Sequence, residues 1–389
     1  MTQILPADRL ATVSEYYFSR KGKEIAALKA QGHDIISLAI GSPDMPPSPE
    51  TVATLQAEAA KFDAHGYQPT AGIPELRQAM ADFYRRNYGV TLDPANEIQP
   101  LIGSKEGILH ITLALVNPGD AVLVPDPGYP TYTSLSTLLG AKVVKYNLTA
   151  DGGWQPDFDE LERLVTPRTR IIWSNYTHMP TGAPARRETY ERLVAFARRH
   201  GIVVVNDNPY SFILTRERLS ILQVEGAKDC CVELNSMSKS HNMPGWRVGM
   251  LVCNATLHDW VLKVKSNIDS GTFRPLQLAA ARALDNEPSW HEEANINVYA
   301  RRRAIAERIM DTLGCRYDKR SVGMFLWGRI PDGYADAEQL TERVLHEADV
   351  FVTPGFIFGE NGRRYIRISL CAKDERMEEA LRRISSLTF

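Results

Sequence analysis

The chain has 389 residues, 44% hydrophobic and 24% charged, which suits two or three domains' worth of folded chain, or one large domain with a smaller companion. Its 45 Lys+Arg against 47 Asp+Glu leave a net charge of −2, which excludes a general polyanion binder, because such proteins draw affinity from clustered excess cations. No apolar run reaches the roughly 18 residues of a spanning helix, the N-terminus lacks a signal-like pattern, and five cysteines (Cys230, Cys231, Cys253, Cys315, Cys371) show no CxxC or Cys/His spacing; a soluble cytoplasmic protein with reduced thiols and no metal site is expected.

Along the chain, residues 14–31 read as a helix, followed by an apolar run at 34–40 that stops at the turn Gly41-Ser-Pro-Asp44. Apolar residues recurring at three and four predict helices over 49–62 and 74–87, separated by a Gly- and Pro-containing loop at 65–72. Strand-like runs then fall at 121–124, 142–146, 170–174, 202–205, 231–234 and 248–252, with helical stretches between several of them, notably 105–116 and 187–200. Continuous β-branched runs alternating with helices argue a mostly parallel sheet buried on both faces. Residues 257–267, 275–284 and 290–313 read as helices, and the chain ends as α+β, with strands at 323–327, 350–353 and 364–369, a helix at 337–348 and a last helix from Asp374. The organisation expected is an N-terminal arm contributing to a small domain (1–40), a large α/β domain (41–284) and a C-terminal small α+β domain (285–389).

Open α/β sheets bind ligands beyond the carboxyl ends of their strands. Neither GxGxxG after a strand nor GxxxxGK[ST] occurs there, so dinucleotide and P-loop folds lose their main support. Instead Gly103-Ser-Lys-Glu-Gly107 runs into a helix, where outward backbone N–H groups would hold a phosphate, although Gly-Ser is also an ordinary helix cap. Residues 235–249 are dense in small hydroxyls around Lys239 and Arg247. This is either a polar loop with solvated cations, or a lysine that forms an imine with an aldehyde cofactor whose phosphate Ser236, Ser238 and Arg247 grip. Asp207 ends a strand-like run with Tyr210 three residues on, and residues 174–182 end another.

These segments resemble the pyridoxal-phosphate-dependent aminotransferases of fold type I, class I/II. The resemblance runs in order through Gly41-Ser-Pro-Asp44, residues 67–77 from Tyr67, Gly103–Gly107, Asp126-Pro-Gly-Tyr-Pro-Thr-Tyr132, Pro180-Thr-Gly182, Asp207 with Tyr210, Ser236-x-Ser-Lys239 with Arg247, Pro354–Gly359 and Arg364–Ser369. The loops at 103–107 and 126–130 are most similar to the LL-diaminopimelate aminotransferase-like branch. The resemblance implies a seven-stranded, mostly parallel sheet in the large domain, a small α+β domain built from both chain ends, and pyridoxal 5'-phosphate as cofactor.

It also implies roles. Lys239 would hold the cofactor and shuttle the substrate proton, Asp207 would pair with the ring nitrogen, and Tyr210 would donate to the ring's phenolic oxygen. Tyr129 would stack on the ring, while Gly103, Ser104, Lys105, Ser236, Ser238 and Arg247 would cup the phosphate. Tyr67 would reach the phosphate in a neighbouring subunit, making a homodimer with shared sites. Arg367 would bind the substrate α-carboxylate, with the Gly41 N–H and Tyr16 on the substrate side.

One position departs from the family pattern: Met179 stands where an asparagine usually donates to the phenolic oxygen, and a thioether cannot donate. Asn175 and Asn208 are the candidates to compensate. The main expectation is transfer of an amino group between an L-amino acid and a 2-oxo acid in a ping-pong cycle. A carbon–sulfur β-lyase or other Cα/Cβ elimination on the same fold is the alternative, and a non-enzymatic ligand sensor a third reading that the absence of a basic helix-turn-helix ahead of residue 14 disfavours. Arg274 is a candidate reader of an acidic side chain, and Trp246 and Phe18 candidate pocket walls.

Overall fold

The structure, a computed structural model, describes residues 4–13, 15 and 17–387. Among the described residues thirteen strands occur in chain order: β1 (Ile36–Ser37), β2 (Ile98–Leu101), β3 (Ala121–Asp126), β4 (Lys142–Asn147), β5 (Thr169–Ser174), β6 (Val203–Asp207), β7 (Cys231–Ser236), β8 (Gly249–Val252), β9 (Arg316–Tyr317), β10 (Phe325–Arg329), β11 (Val350–Phe351), β12 (Thr353–Pro354) and β13 (Tyr365–Ser369). Seven of them form one sheet in the order β2-β8-β7-β6-β5-β3-β4, parallel except for β8, which runs antiparallel to both its neighbours.

The sheet is buried because successive side chains of its strands enter two separate apolar layers. Val122, Val124, Ile171, Trp173 and Val205 face one side, packed with Ile108 and Ile111 of the helix Ser104–Leu115, while Leu123, Ile172 and Val204 face the other. Edge strand β4 carries the more exposed Lys142 and Lys145. The seventh strand, β2, is the one that sequence periodicity misses. It holds four residues including Pro100, and proline is tolerated there because β2 lies at the sheet edge.

Most helices form where the apolar spacing predicts. Pro74–Tyr88 begins with proline, whose missing N–H is no loss at a helix start, and stops at Gly89, which takes φ +66°. The helix expected over 290–313 is instead three pieces: Pro288–His291, a π-helical turn Glu292–Asn297, and Val298–Thr312. The wider turn turns Asn295 inward, where its Nδ2 donates to the Ser240 carbonyl at 2.9 Å and its own carbonyl accepts from Leu214 N at 3.0 Å. The strand expected at 323–327 starts two residues later, because Gly323 takes φ +81° and its N–H bonds Ile213 O outside any ladder.

A second, antiparallel sheet has the order β12-β13-β10-β9, and β1 pairs in parallel with β11 (Ile36 opposite Val350). Ser369 N donates to Leu38 O at 2.8 Å, so the segment leaving β1 runs beside β13 and brings Gly41 close to Arg367. Among the described residues no helix is long and apolar enough to cross a membrane.

Candidate active site

In the register of the large sheet Ser174 lies opposite Asn206, and Asp207 opposite Leu234, so the ends of β5, β6 and β7 open side by side. A cavity of about 410 Å³ lies there, between these strand ends, the start of the helix Ser104–Leu115 and the second sheet.

At its floor, Asp207 is 5% exposed. Its Oδ2 accepts from the Tyr132 hydroxyl at 2.8 Å, while its Oδ1 is buried without a donor. Burial pushes the Asp207 carboxyl up from 3.8 to about 6, against the opposing pull of the Tyr132 hydrogen bond. Tyr132 is fixed by stacking on Trp173, with centroids 4.8 Å apart and planes 6° off parallel. Residue type and local spacing alone assign Tyr132 no role. The available signal was its position one helical turn after Tyr129, at the start of the helix Pro130–Leu138, which turns both rings to the same side. Tyr129 lines the cavity, as does Tyr210, and burial raises the pKa of both phenols.

Lys239 rides on the short helix Met237–Ser240 that follows β7, capped by Ser236 Oγ accepting from Ser238 N at 3.2 Å. Its Nζ enters the cavity and donates to the Gly41 carbonyl. Burial lowers the pKa of this ammonium, and the cations Arg367 and Arg247 push it the same way, favouring the neutral, nucleophilic amine.

The anion-holding end is built by close approach. Gly103 takes φ +74°, and a Cβ there would lie 2.1 Å from Arg247 Nη2, so only glycine lets the guanidinium lie over the helix start. Ser104, Lys105, Ser236, Ser238 and Arg247 all line this end, where the positive pole of the helix dipole adds to the cations. Glu106 would oppose an anion, yet its carboxylate turns away, accepting from Ile102 N at 2.5 Å and pairing with Lys265 and His110 at 2.7 Å each. These bonds hold its carboxyl well below the usual range despite burial.

Opposite Lys239, Arg367 on β13 is 5% exposed. Nη2 donates to Ala39 O at 2.6 Å and Nη1 to Met179 Sδ at 3.3 Å, and the guanidinium lies 4.0 Å from the Phe325 ring centroid and 4.6 Å from that of Phe358. Asn175 reaches the cavity, but its amide donates to Asp207 O at 2.5 Å and accepts from Met179 N at 2.8 Å; Asn208 turns away to Leu219 O.

The cavity thus unites Lys239, Asp207, Tyr210, Tyr129, Ser104, Lys105, Ser236, Ser238, Arg247, Gly41 and Arg367, with Gly103 packed behind Arg247. Phe18 joins its wall; Trp246 packs against the core instead, and Arg274 lies away from the cavity, 3.9 Å from Asp63. Tyr67 is 96% exposed and outside the cavity, and Tyr16 falls outside the described residues. The residues present fit pyridoxal 5'-phosphate at three chemically distinct points. The orphaned oxygen of Asp207 suits a protonated ring nitrogen, the helix start with Arg247 suits a phosphate, and the buried amine of Lys239 suits an aldehyde.

Comparison with known proteins agrees. The family described as aminotransferase class I and II matches residues 33–384. An LL-diaminopimelate aminotransferase of Oleidesulfovibrio alaskensis is 42% identical over 392 residues, covering 100% of both chains. Among solved structures, apo-BacF of Bacillus subtilis matches with a TM-score of 0.94 at 35% identity, over 99% of this chain and 98% of that one. Aspartate aminotransferase of Thermus thermophilus with maleate matches with a TM-score of 0.91 at 27% identity, over 98% of this chain and 99% of that one.

Proposed function

Because the chain belongs to the class I and II aminotransferases, enzymes that use pyridoxal 5'-phosphate to move an amino group between an amino acid and a 2-oxo acid, we propose that its cavity performs this transfer with Lys239 as the proton carrier and Arg367 as the carboxylate anchor. The observation that carries the assignment is the shared opening of Lys239, Asp207 and Arg367 into one cavity.

When bound, the cofactor supplies an electron sink for the charge left at Cα after deprotonation. The chain's residues do the rest. Asp207 Oδ1 would keep a proton on the ring nitrogen, with Tyr132 holding the other carboxylate oxygen still. Tyr210 would donate to the phenolic oxygen, Tyr129 would pack against the ring, and Gly103, Ser104, Lys105, Ser236, Ser238 and Arg247 would hold the phosphate. Arg367 takes the substrate carboxylate as a bidentate partner, aided by the Gly41 N–H, which fixes Cα beside Lys239 Nζ; the amine then carries the α-proton away and returns it. LL-diaminopimelate, named in the relative above, is the first donor to test. In a half-reaction screen of the twenty amino acids plus LL-diaminopimelate, a true donor bleaches the visible band and leaves pyridoxamine phosphate, and a 2-oxo acid restores the band. Steady release of pyruvate and ammonia without an oxo acid would instead establish the elimination reading.

Met179 sets a further expectation. Met179→Asn adds a donor beside the phenolic oxygen, and a hydrogen bond to such an anion should lower the pKa of the bound cofactor's visible band by about one unit. Absorbance against pH reads this directly; an unmoved pKa would mean that position 179 does not face that oxygen.

The fully exposed Tyr67 and an apolar surface with Phe62, Trp260, Ile268 and Phe273 support a homodimer in which Tyr67 completes the partner's phosphate site. Gln68 bridges Gly271, and His65 stacks on Phe273 at 5.8 Å, so these segments share one face. Light scattering should give a dimer, and Tyr67→Phe should weaken cofactor retention about tenfold. The buried free thiols Cys230, Cys231, Cys253 and Cys315 support a cytoplasmic setting.

A further inference from the structure

Asp126, the first residue of the Asp-Pro-Gly-Tyr-Pro motif, does not line the cavity, yet its carboxylate is only 4% exposed. Oδ1 accepts from Asn361 N at 3.0 Å, and Oδ2 from Glu360 N at 3.1 Å and Lys145 Nζ at 3.1 Å. The Asp126 carbonyl accepts from Asn361 Nδ2 at 2.9 Å, and Gly128 N donates to Phe358 O at 2.8 Å. Four of these bonds join the end of β3 in the large sheet to the turn between β12 and β13 in the other sheet. The approach is close enough to require Gly359: it sits at φ +142°, and a Cβ there would lie 2.0 Å from Asp126 Oδ1.

The clamped turn begins with Phe358, which lines the cavity and whose ring lies 4.6 Å from the Arg367 guanidinium. A cation walled by rings and kept from water binds a carboxylate more strongly than a solvated one, because the local dielectric is lower. We propose that Asp126 is a positioning residue for substrate binding: its carboxylate clamps residues 358–361 so that Phe358 walls the carboxylate site at Arg367. The inference rests on Arg367 being that site. Without the carboxylate, the N–H groups of Glu360 and Asn361 lose their acceptor and the turn lifts, while the Lys239 and Asp207 side of the cavity, held by other strands, stays in place.

Two variants break the clamp from opposite sides. Asp126→Asn puts an N–H against one of the two backbone donors, and Gly359→Ala drives a methyl into the carboxylate. In each holoenzyme the readouts are binding of 3-phenylpropionate and succinate, which carry carboxylates but no amino group, followed by the visible band; KM and kcat for the best donor; and cofactor dissociation. Both variants should weaken carboxylate binding and raise KM about tenfold, with kcat within about threefold and cofactor dissociation unchanged. Unchanged carboxylate binding in folded variants overturns the proposal, as does an equal loss of cofactor affinity, which would mean that Asp126 serves Tyr129 instead. Should either variant not fold, Asn361→Ala, which deletes the side-chain bonds to the Asp126 carbonyl and to Asn147 Oδ1 at 2.8 Å, must weaken binding in the same direction, or the proposal fails. Carboxylate binding that survives Arg367→Ala would refute the premise. A wild-type protein that binds carboxylates but transfers no amino group would refute the proposed reaction and leave the clamp standing.

Discussion

Lys239→Ala should leave a folded protein that binds pyridoxal 5'-phosphate but yields no borohydride-stable adduct, and its amino-transfer half-reaction should slow about 10⁴-fold, the upper range for a lost general acid–base group. The size follows from the site. Lys239 Nζ lies inside the cavity, and burial lowers its pKa, so the amine is available both as nucleophile and as proton acceptor. Lys239→Arg should not rescue the rate, because a guanidinium stays protonated. Added methylamine should restore part of it by entering the vacated space. Rapid-quench product analysis checks both variants and the amine rescue, and a Lys239→Ala rate within tenfold of wild type would mean that another group carries the proton.

Asp207→Asn should reduce the half-reaction about 10³-fold, since removing one partner of a buried charge pair costs about 3–5 kcal/mol. Tyr132→Phe, which loosens Asp207 without discharging it, should cost about tenfold. The same carboxylate makes the cofactor-free protein pH-sensitive. Its pKa is raised from 3.8 to about 6 by burial, so ionising it in the folded state is unfavourable. Asp207 therefore contributes most to folded stability below pH 4, and that contribution is lost as pH rises through 6, a change of about 3 kcal/mol. Urea unfolding of the apoprotein at pH 4 and pH 7 should show this loss in wild type and lack it in Asp207→Asn, whereas bound cofactor, by placing a cation on Oδ1, should suppress it. A wild-type minus variant difference that does not change with pH would show that Asp207 is already neutralised by another group.

Chemistry carried by contiguous residues was legible in the sequence. Lys239 with Ser236 and Ser238, Asp207 with Tyr210, and the helix start at Gly103 are short segments whose residue types already constrain what they can bind, and each lines the cavity or packs directly behind it. Most large-sheet strands were equally legible, because a strand buried on both faces must be apolar along its whole length. Strand β2 was not: Gln99 and Pro100 interrupt it, and only its place beside β8 at the sheet edge makes it a strand. The π-helical turn at 292–297 was hidden as well, since the bonds that widen it go to Ser240 and Leu214, far away in sequence.

By itself the sequence determined the alternating architecture, which depends on residue type and local spacing, and its family resemblance implied the cofactor and marked Lys239 as the candidate reacting amine. Only the tertiary structure decided how Asp207 is shared between Tyr132 and the cavity, that Met179 rests against Arg367, that Arg274 faces Asp63 rather than the pocket, and that Asp126 grips the turn behind Phe358. Each of those is a contact between segments tens to hundreds of residues apart. Such contacts are set by how the two sheets pack across the cleft, and no periodicity within one segment encodes them.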